Sequence, residues 1–468
     1  MPDIGGGVGL LDQQKEKAIG EKVFREVNKQ MPVTQNPWLE DRLFAVFSHI
    51  LSQTQLNQPV GLLIINDPQI NAFAVPGGLF ALNTGLINSA RNMDEVAGVM
   101  AHEIAHVTQR HYSRSQEAFK GQGLLSLAGI LVGALVASQA DGDVGAAVML
   151  GSQAALMDKQ LTYSRNQERE ADRIGYGLMA PAGFAPQGFV SMFEKLQQAN
   201  RLNDNGSWPY LRSHPLTTER MADMQSRIPP GAASAPGSPM QTSSEHAMVA
   251  ARARVLSNPG VDTLRQWIAE PKGSGFQSQP LPRRAAALYA AALASSQLRD
   301  AANARLVARQ LDDLVRQDPA AHRLARLLMA EIELAAGDAS AALASMPEGN
   351  NARRPELVLR TQALLRANRA ADATQALQTW VATHPKDATV WQLLASSWQA
   401  QGQALRAIRA EAEAQAARYD YAAAVDRFKA GQEMARRGGP AVDHIEASII
   451  DTRLRAMESL LREQAAER

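Results

Sequence analysis

Three things that this sequence lacks limit what it can encode. None of its 468 residues is cysteine, which fits an oxidising compartment without a disulfide framework, although cytosolic proteins can also lack cysteine. The formal net charge is only +1, so charge gives no reason to expect a nucleic acid or an anionic membrane as partner. The most apolar stretch, residues 124–137, would form a helix of about 21 Å, too short to cross a bilayer core of about 30 Å. With 468 residues, of which 45% are hydrophobic, the chain is long enough for about two or three domains with their own cores.

The first residues, MPDIGGG, contain neither the basic nor the apolar region of a secretory leader. Two interpretations follow. Either the protein is cytosolic, or the sequence is a mature form from which a leader has been removed.

The most informative stretch is AHEIAH at residues 101–106, an H-E-x-x-H pattern inside an apolar helical run. At about 100° per residue, His102 and His106 lie about 40° apart on one helix face, where two imidazoles can bind one Zn²⁺. Glu103 projects beside them and can accept a proton from an attacking water. The alternative is a buried helix whose histidines only make hydrogen bonds, so further ligands are needed to decide.

A second candidate stretch is SRNQEREADR at residues 164–173. Glu168 and Asp172 stand four residues apart, on one face of a second predicted helix. Glu168 can complete a His₂Glu zinc site, and Asp172 can accept a hydrogen bond from the second nitrogen of a ligand imidazole. The alternative is a charged helix face in contact with solvent. Together with the H-E-x-x-H pattern, the stretch favours a metal site.

These two motifs, together with NAFAVPGG at residues 71–78, resemble the HtpX and CAAX-prenyl-protease family of gluzincin metallopeptidases. The resemblance implies that Glu168, and not Glu170, is the third zinc ligand. It also implies a role for His214 in the segment RSHPL, either as a transition-state donor or as a fourth ligand that holds the enzyme latent. Arg220 is a candidate for oxyanion stabilisation or for anchoring the loop of His214.

Strand and hairpin signals precede the first motif. Residues 60–65 form a short aliphatic run typical of a strand, and residues 71–75 and 78–83 flank a Pro-Gly-Gly turn typical of a hairpin. In such a site an edge strand can pair with the backbone of an extended substrate. Asn71 is therefore a candidate substrate-binding residue, and an ordinary turn residue is the equal alternative.

Helical patterns occupy most of the remaining first half. Residues 11–52 predict two amphipathic helices with a break near residues 32–37. We interpret residues 124–137 as part of a buried helical hairpin, with a lid or a membrane-facing element beside the site as the alternative. His111 lies about 140° around the helix from His106, so we interpret it as a surface histidine.

A change in composition marks the second half. Residues 229–239 are rich in proline, glycine, alanine and serine, which indicates a linker. Beyond it, the pattern of residues 337–343 recurs 34 residues later at 371–377, which is the tetratricopeptide period. Stacked helical hairpins of this kind form a concave groove that can bind a partner.

The sequence therefore predicts a mainly α protein: a gluzincin metallopeptidase domain of helices and a small β-sheet (1–228), a linker (229–246), and an α-solenoid of tetratricopeptide-like hairpins (247–468). The predicted activity is zinc-dependent endopeptidase, although Mn²⁺ or Co²⁺ could occupy the same ligands.

The resemblance further implies a periplasmic location, with the leader removed. The implied substrates are misfolded or misassembled outer-membrane β-barrel proteins, and the repeats would bind them or the barrel-assembly machinery. Nucleic acid is not an expected partner, and peripheral membrane contact stays open. The alternatives are a chaperone or scaffold with a capped or vestigial protease site, and a cytosolic quality-control peptidase.

Overall fold

The computed structural model of the chain describes residues 13–56, 59–114, 164–202, 209–228, 242–257, 259–346, 353–438 and 443–466. Its internal contacts form two compact units, Met1–Pro259 and Gly260–Arg468. The described chain is mainly helical with one small sheet in the first unit, which confirms the predicted fold class. The division by contacts includes the helix Ser244–Leu256 in the first unit, whereas the sequence-based boundary lies in the linker 229–246.

The first unit contains the following helices in the described ranges: α1 (Gln13–Gln30), α2 (Pro37–Leu51), α3 (Thr84–Ser89), α4 (Met93–Thr108), α5 (His111–Arg114), α6 (Arg165–Met179), α7 (Pro186–Leu202), α8 (Pro209–Ser213), α9 (Thr218–Ser226) and α10 (Ser244–Leu256). Helices α1 and α2 are the predicted amphipathic pair. Asn36 caps α2 by accepting a hydrogen bond from the Leu39 N–H, which explains the break near residues 32–37. Residues 124–137 lie outside the described ranges, and no helix within those ranges is both long and apolar enough to cross a membrane.

The sheet has three strands in the order β1 (Gly61–Ile65), β3 (Leu79–Asn83), β2 (Ala72–Val75). β1 runs parallel to β3, and β2 and β3 form the predicted antiparallel hairpin. The hairpin turn needs glycine, because Gly77 has a φ of 82° and an added Cβ would lie 2.4 Å from the Glu16 carbonyl oxygen. Among the described strands, β3 is the one neighbour of β2, so β2 is an edge strand of the described sheet.

Helix α4 is the centre of the first unit. It begins after Asn92, whose side chain accepts a hydrogen bond from the Glu95 N–H, and every residue from Met93 to His106 except Asp94 is buried. Such all-round burial is typical of a helix surrounded by others. α4 packs against α2, α6, α7 and β2.

Glycines bring α6 and α7 close to α4. An added Cβ on Gly98 would lie 2.6 Å from the Phe189 Cα, and one on Gly175 would lie 3.0 Å from the His102 backbone nitrogen. Side chains at these positions would therefore push the helices apart. The close crossing of α6 over α4 places residues 168 and 172 opposite His102.

This crossing gives a stability prediction with an internal control. We expect Gly175→Val to lower the free energy of unfolding by about 1–3 kcal/mol more than Gly177→Val, because valine overpacks the first site. Gly177 is exposed in the same helix, and an added Cβ there meets no atom within 4 Å. Chemical denaturation of both variants measures the difference. Equal stabilities would contradict the close crossing.

The second unit is a series of antiparallel helical hairpins. Its helices are α11 (Val261–Ala269), α12 (Leu281–Gln297), α13 (Ala301–Val315), α14 (Pro319–Ala335), α15 (Ala339–Ser345), α16 (Arg354–Arg366), α17 (Ala370–Thr383), α18 (Ala388–Ala400), α19 (Ala404–Ala417), α20 (Tyr421–Arg437) and α21 (His444–Ala466). Consecutive helices pack on each other. The two copies of the 34-residue pattern begin α15 and α17, as expected for tetratricopeptide-like repeats.

Arginine–carboxylate pairs link successive hairpins of the second unit. Arg323 on α14 donates to Glu356 on α16 at 2.5 and 2.7 Å, and Arg354 on α16 donates to Asp387, which caps α18, at 2.6 and 3.0 Å. Both are two-point contacts, which fix geometry better than single ones. Each pair therefore fixes the packing of one hairpin on the next.

Candidate metal centre

Four buried side chains converge at the C-terminal half of α4, the central helix of the first unit. One nitrogen or oxygen from each of His102, His106, Glu168 and His214 lies within 4.8 Å of the others. All four side chains are at most 2% exposed. Two histidines one helical turn apart on α4 face a carboxylate in the first turn of α6.

The distances between these atoms suit a zinc ion. His102 Nε2 and His106 Nε2 are 3.0 Å apart, and Glu168 Oε1 lies 3.4 Å from His106 Nε2. A tetrahedral ion with bonds of about 2.0–2.1 Å separates its ligand atoms by about 3.3–3.4 Å. The donor set of imidazole and carboxylate is one that zinc takes in catalytic sites.

Glu168 is held in place by the start of α6. Ser164 caps this helix in a reciprocal box, in which its hydroxyl accepts from the Gln167 N–H while the Gln167 side chain accepts from the Ser164 N–H. Gln167 also donates to the His111 carbonyl oxygen at 2.9 Å. The box fixes the first turn, so the adjacent Glu168 faces α4.

His214 follows the short helix α8 and reaches the same cluster. Its Nδ1 lies 3.0 Å from Glu168 Oε1 and 3.4 Å from His102 Nε2. The Tyr210 ring stacks on the imidazole with a centroid distance of 4.7 Å. The sequence left two roles open for this histidine, and the structure places its ring nitrogen at ligand distance from the other donors.

Glu103 lies beside the cluster and outside it. The side chain is 2% exposed, and its Oε1 lies 3.5 Å from His214 Nε2. That oxygen accepts no hydrogen bond within the part of the chain that the structure describes. A buried carboxylate oxygen that accepts no hydrogen bond can accept a proton from water or from a substrate.

Asp172 contacts His102 on the side of the imidazole that faces away from the cluster. Its Oδ1 lies 3.1 Å from His102 Nδ1, the nitrogen that faces away from the cluster. Arg220 donates to both oxygens of Asp172 at 2.7 Å and to the Pro215 carbonyl oxygen at 2.7 Å. The same guanidinium lies 2.7 Å from Glu168 Oε2, so Arg220 joins both carboxylates of α6 to the His214 loop. This is the anchoring role, one of the two that the sequence had offered for Arg220.

The charge state of the cluster follows from burial and hydrogen bonding. Burial opposes ionisation of Glu168, but the neighbouring His214 and hydrogen bonds from the histidines hold the pKa of this carboxyl well below its usual range. Burial also keeps the pKa of His106 well below its usual value, so its imidazole is neutral, as a ligand must be. Burial lowers the pKa of His102, yet Asp172 and Glu168 outweigh it and raise that pKa to about 9.

The sequence-based interpretation of His111 as a surface residue is wrong. His111 was expected at the surface, but it is fully buried, with Nδ1 lying 3.0 Å from His106 Nδ1. The helical extrapolation failed because α4 ends at Thr108 and Arg110 adopts a φ of 52°, which turns the chain back towards the cluster. Nothing in the local spacing indicated this turn.

Asn71 lies at the start of the β2–β3 hairpin. It is 5% exposed and directly precedes the edge strand β2, and its carbonyl oxygen accepts from the Asn83 N–H at 2.9 Å. Substrate binding by this residue stays a prediction.

A sequence comparison bears on the class of protein to which this site points. Residues 35–228 match the sequence model of Peptidase family M48. This match covers α2 to α9 and all the residues of the cluster, and it confirms the predicted metallopeptidase resemblance.

Several similar proteins match most of the chain. The chain is 29% identical to the β-barrel assembly-enhancing protease of Escherichia coli, over 90% of this chain and 85% of that protein. It is 28% identical to the protein of the same name from Yersinia pestis, over 88% of this chain and 83% of that protein. The metalloprotease LoiP of Escherichia coli is 24% identical over 47% of this chain and 82% of its own length.

Proposed function

We propose that this chain is a zinc-dependent endopeptidase whose ligands are His102, His106 and Glu168 and whose general base is Glu103. The observation that carries the proposal is the buried cluster itself, with ligand-atom separations of 3.0–3.5 Å beside a carboxylate oxygen that accepts no hydrogen bond from the described residues. The M48 match over the same residues supports it.

The ion and the protein would contribute different steps to peptide hydrolysis. When bound, zinc acts as a Lewis acid that polarises the peptide carbonyl and makes water more acidic. Glu103 accepts the proton of the attacking water and passes it to the leaving nitrogen, so one carboxylate serves both transfers. Asp172 and Arg220 keep His102 in one orientation during these steps.

The edge strand β2 offers a place for the substrate backbone. It packs against α4, the helix of the ligands, and only one of its edges is paired within the described sheet. An extended peptide added to such an edge is held by main-chain hydrogen bonds, which gives affinity without strong sequence preference. Broad substrate choice of this kind suits a protease of misfolded proteins.

His214 supplies a means of latency. His214 Nδ1 lies 3.0–3.4 Å from two of the ligand atoms, so it would offer a bound ion a fourth protein donor in the position that water needs. Release of the His214 loop would open that position. Tyr210 and Arg220 hold the loop in the closed arrangement.

This assignment predicts that His214→Ala raises casein cleavage per zinc-loaded molecule, because the fourth position opens. The measurement is initial cleavage rate normalised to bound zinc. A fall in kcat/KM at unchanged zinc content would instead assign His214 as a transition-state donor. The His214→Ala, Glu103→Gln double variant is the control, and its inactivity would show that the gained activity arises at this site.

We further propose that the substrates are misfolded or misassembled outer-membrane β-barrel proteins in the periplasm. Similarity over about nine-tenths of the chain to two β-barrel assembly-enhancing proteases supports this. The hairpin repeats of the second unit would bind substrate or the assembly machinery through their concave groove. Crosslinking from the repeat helices in a strain with stalled barrel assembly tests this, and a yield equal to that from exposed residues of α1 would contradict it.

The second candidate function is a chaperone or scaffold with a capped site. The observation that favours it is His214 among the ligands, since a permanently closed site would leave the repeats as the working part. A strain carrying Glu103→Gln distinguishes the two. Loss of function in barrel assembly supports the protease, whereas full function supports the scaffold.

A further inference from the structure

The second zinc ligand, His106, has its own chain of polar contacts, distinct from the Asp172–Arg220 pair behind His102. His106 Nδ1 lies 3.0 Å from His111 Nδ1, and His111 Nε2 lies 3.1 Å from Glu170 Oε2. Arg114 donates to the same Glu170 oxygen at 3.0 Å. His111 is fully buried, and Glu170 reaches the surface.

The geometry points to one arrangement of hydrogens along this chain. The Nε2 of His106 faces His102 and Glu168, so a metal bound there leaves the hydrogen on Nδ1. That hydrogen points at His111 Nδ1, which must then be the acceptor. A neutral His111 therefore carries its own hydrogen on Nε2, where Glu170 accepts it.

We propose that His111 is a positioning residue for the metal centre, which fixes the tautomer and ring orientation of His106 while Glu170 fixes the tautomer of His111. This inference rests on the proposed function, because it requires a metal on His106. With the hydrogens reversed, His106 Nε2–H would point into the cluster and could not bind a metal.

The local fold places His111 for this role. The turn at Arg110 aims the ring at His106, and its backbone carbonyl accepts from Gln167 at 2.9 Å. Gln167 belongs to the capping box that orients Glu168. His111 therefore contacts the imidazole of one ligand, His106, and the start of the helix that carries another ligand, Glu168.

Tautomers can be measured directly in the zinc-loaded Glu103→Gln protein with ¹⁵N-labelled histidine. Long-range ¹H–¹⁵N spectra should show His106 with its hydrogen on Nδ1 and His111 with its hydrogen on Nε2. The His111→Asn variant assigns the His111 signals. A His111 hydrogen on Nδ1 would overturn the proposal.

Zinc affinity gives a second test, by competition with a chromogenic chelator in the same background. We expect His111→Ala to weaken zinc binding by about 10–100-fold and to shift the visible spectrum of the cobalt-substituted protein. His111→Asn should recover most of the affinity, because its amide oxygen can accept from His106 Nδ1–H near the place of the lost ring nitrogen. If His111→Ala and His111→Asn both bound zinc as tightly as the parent protein, the proposal would be overturned.

The matched control is His246→Ala. His246 is also a buried histidine of the first unit, but its Nε2 donates to the Ala90 carbonyl oxygen, away from the cluster. Its loss should lower stability and leave zinc affinity unchanged, so equal loss of affinity in both variants would overturn the specific role of His111. Failure of the parent protein to bind zinc at all would overturn the proposed function and this inference together.

Discussion

Glu103→Gln should abolish peptide hydrolysis while the protein keeps its fold and its zinc. The amide has the size of the carboxylate but cannot accept the proton of water, and general-base catalysis contributes about 10²–10⁴-fold. Glu103 lies outside the ligand set, with its Oε1 at 3.5 Å from His214 Nε2, so zinc affinity should be unchanged. Casein cleavage and autocleavage give the activity, and metal analysis gives the zinc content.

The matched control for this variant is Glu26→Gln on α1. Glu26 interacts with Lys29 and Gln30 of the same helix and has no contact with the cluster. The Glu26→Gln protein should cleave casein at the rate of the parent protein. Residual activity of Glu103→Gln within severalfold of the parent would show that another group takes the proton, and the assignment of Glu103 would fail.

Arg220→Ala should produce the largest loss of stability among the variants considered. The side chain is 1% exposed and pairs with Asp172 through two hydrogen bonds of 2.7 Å. Removal of one partner of such a buried pair costs about 3–5 kcal/mol, because the remaining charge is left uncompensated. Zinc affinity should also fall, by about 10–100-fold, since Asp172 no longer holds His102.

Two further variants give this prediction its controls. Arg227→Ala removes a half-exposed arginine that pairs with Asp223 at the end of the same helix, and it should cost at most about 1 kcal/mol. Arg220→Lys keeps the charge but loses the two-point contact, so it should lie between parent and alanine variant. Denaturant unfolding and chelator competition measure both quantities. Similar losses for Arg220→Ala and Arg227→Ala would contradict the role of the buried pair.

The sequence was sufficient where local periodicity determines the arrangement. His102 and His106 face one way because they are one turn apart on α4, and the same holds for Glu168 and Asp172 on α6. The hairpin around Gly77 was predictable because only glycine suits its backbone. The two helices α1 and α2 and the repeating hairpins of the second unit follow from the same local patterns.

The sequence was insufficient where contacts join distant segments. His111 reaches His106 through a positive φ at Arg110, which no pattern announced. The Asp172–Arg220 pair spans 48 residues, so the sequence left Arg220 with two possible roles. Helix α10 begins inside the predicted linker and continues past its end, yet Arg252 on it stacks over the Trp38 ring at 4.1 Å within the first unit.

Metal content is the measurement that tests the central claim most directly. Protein purified without chelators should contain about one zinc per chain, and so should Glu103→Gln. Separate replacement of His102, His106 and Glu168 by alanine should remove that zinc while the helices of both units stay folded. A parent protein that neither contains zinc nor binds added zinc, or alanine variants that retain it, would contradict the account.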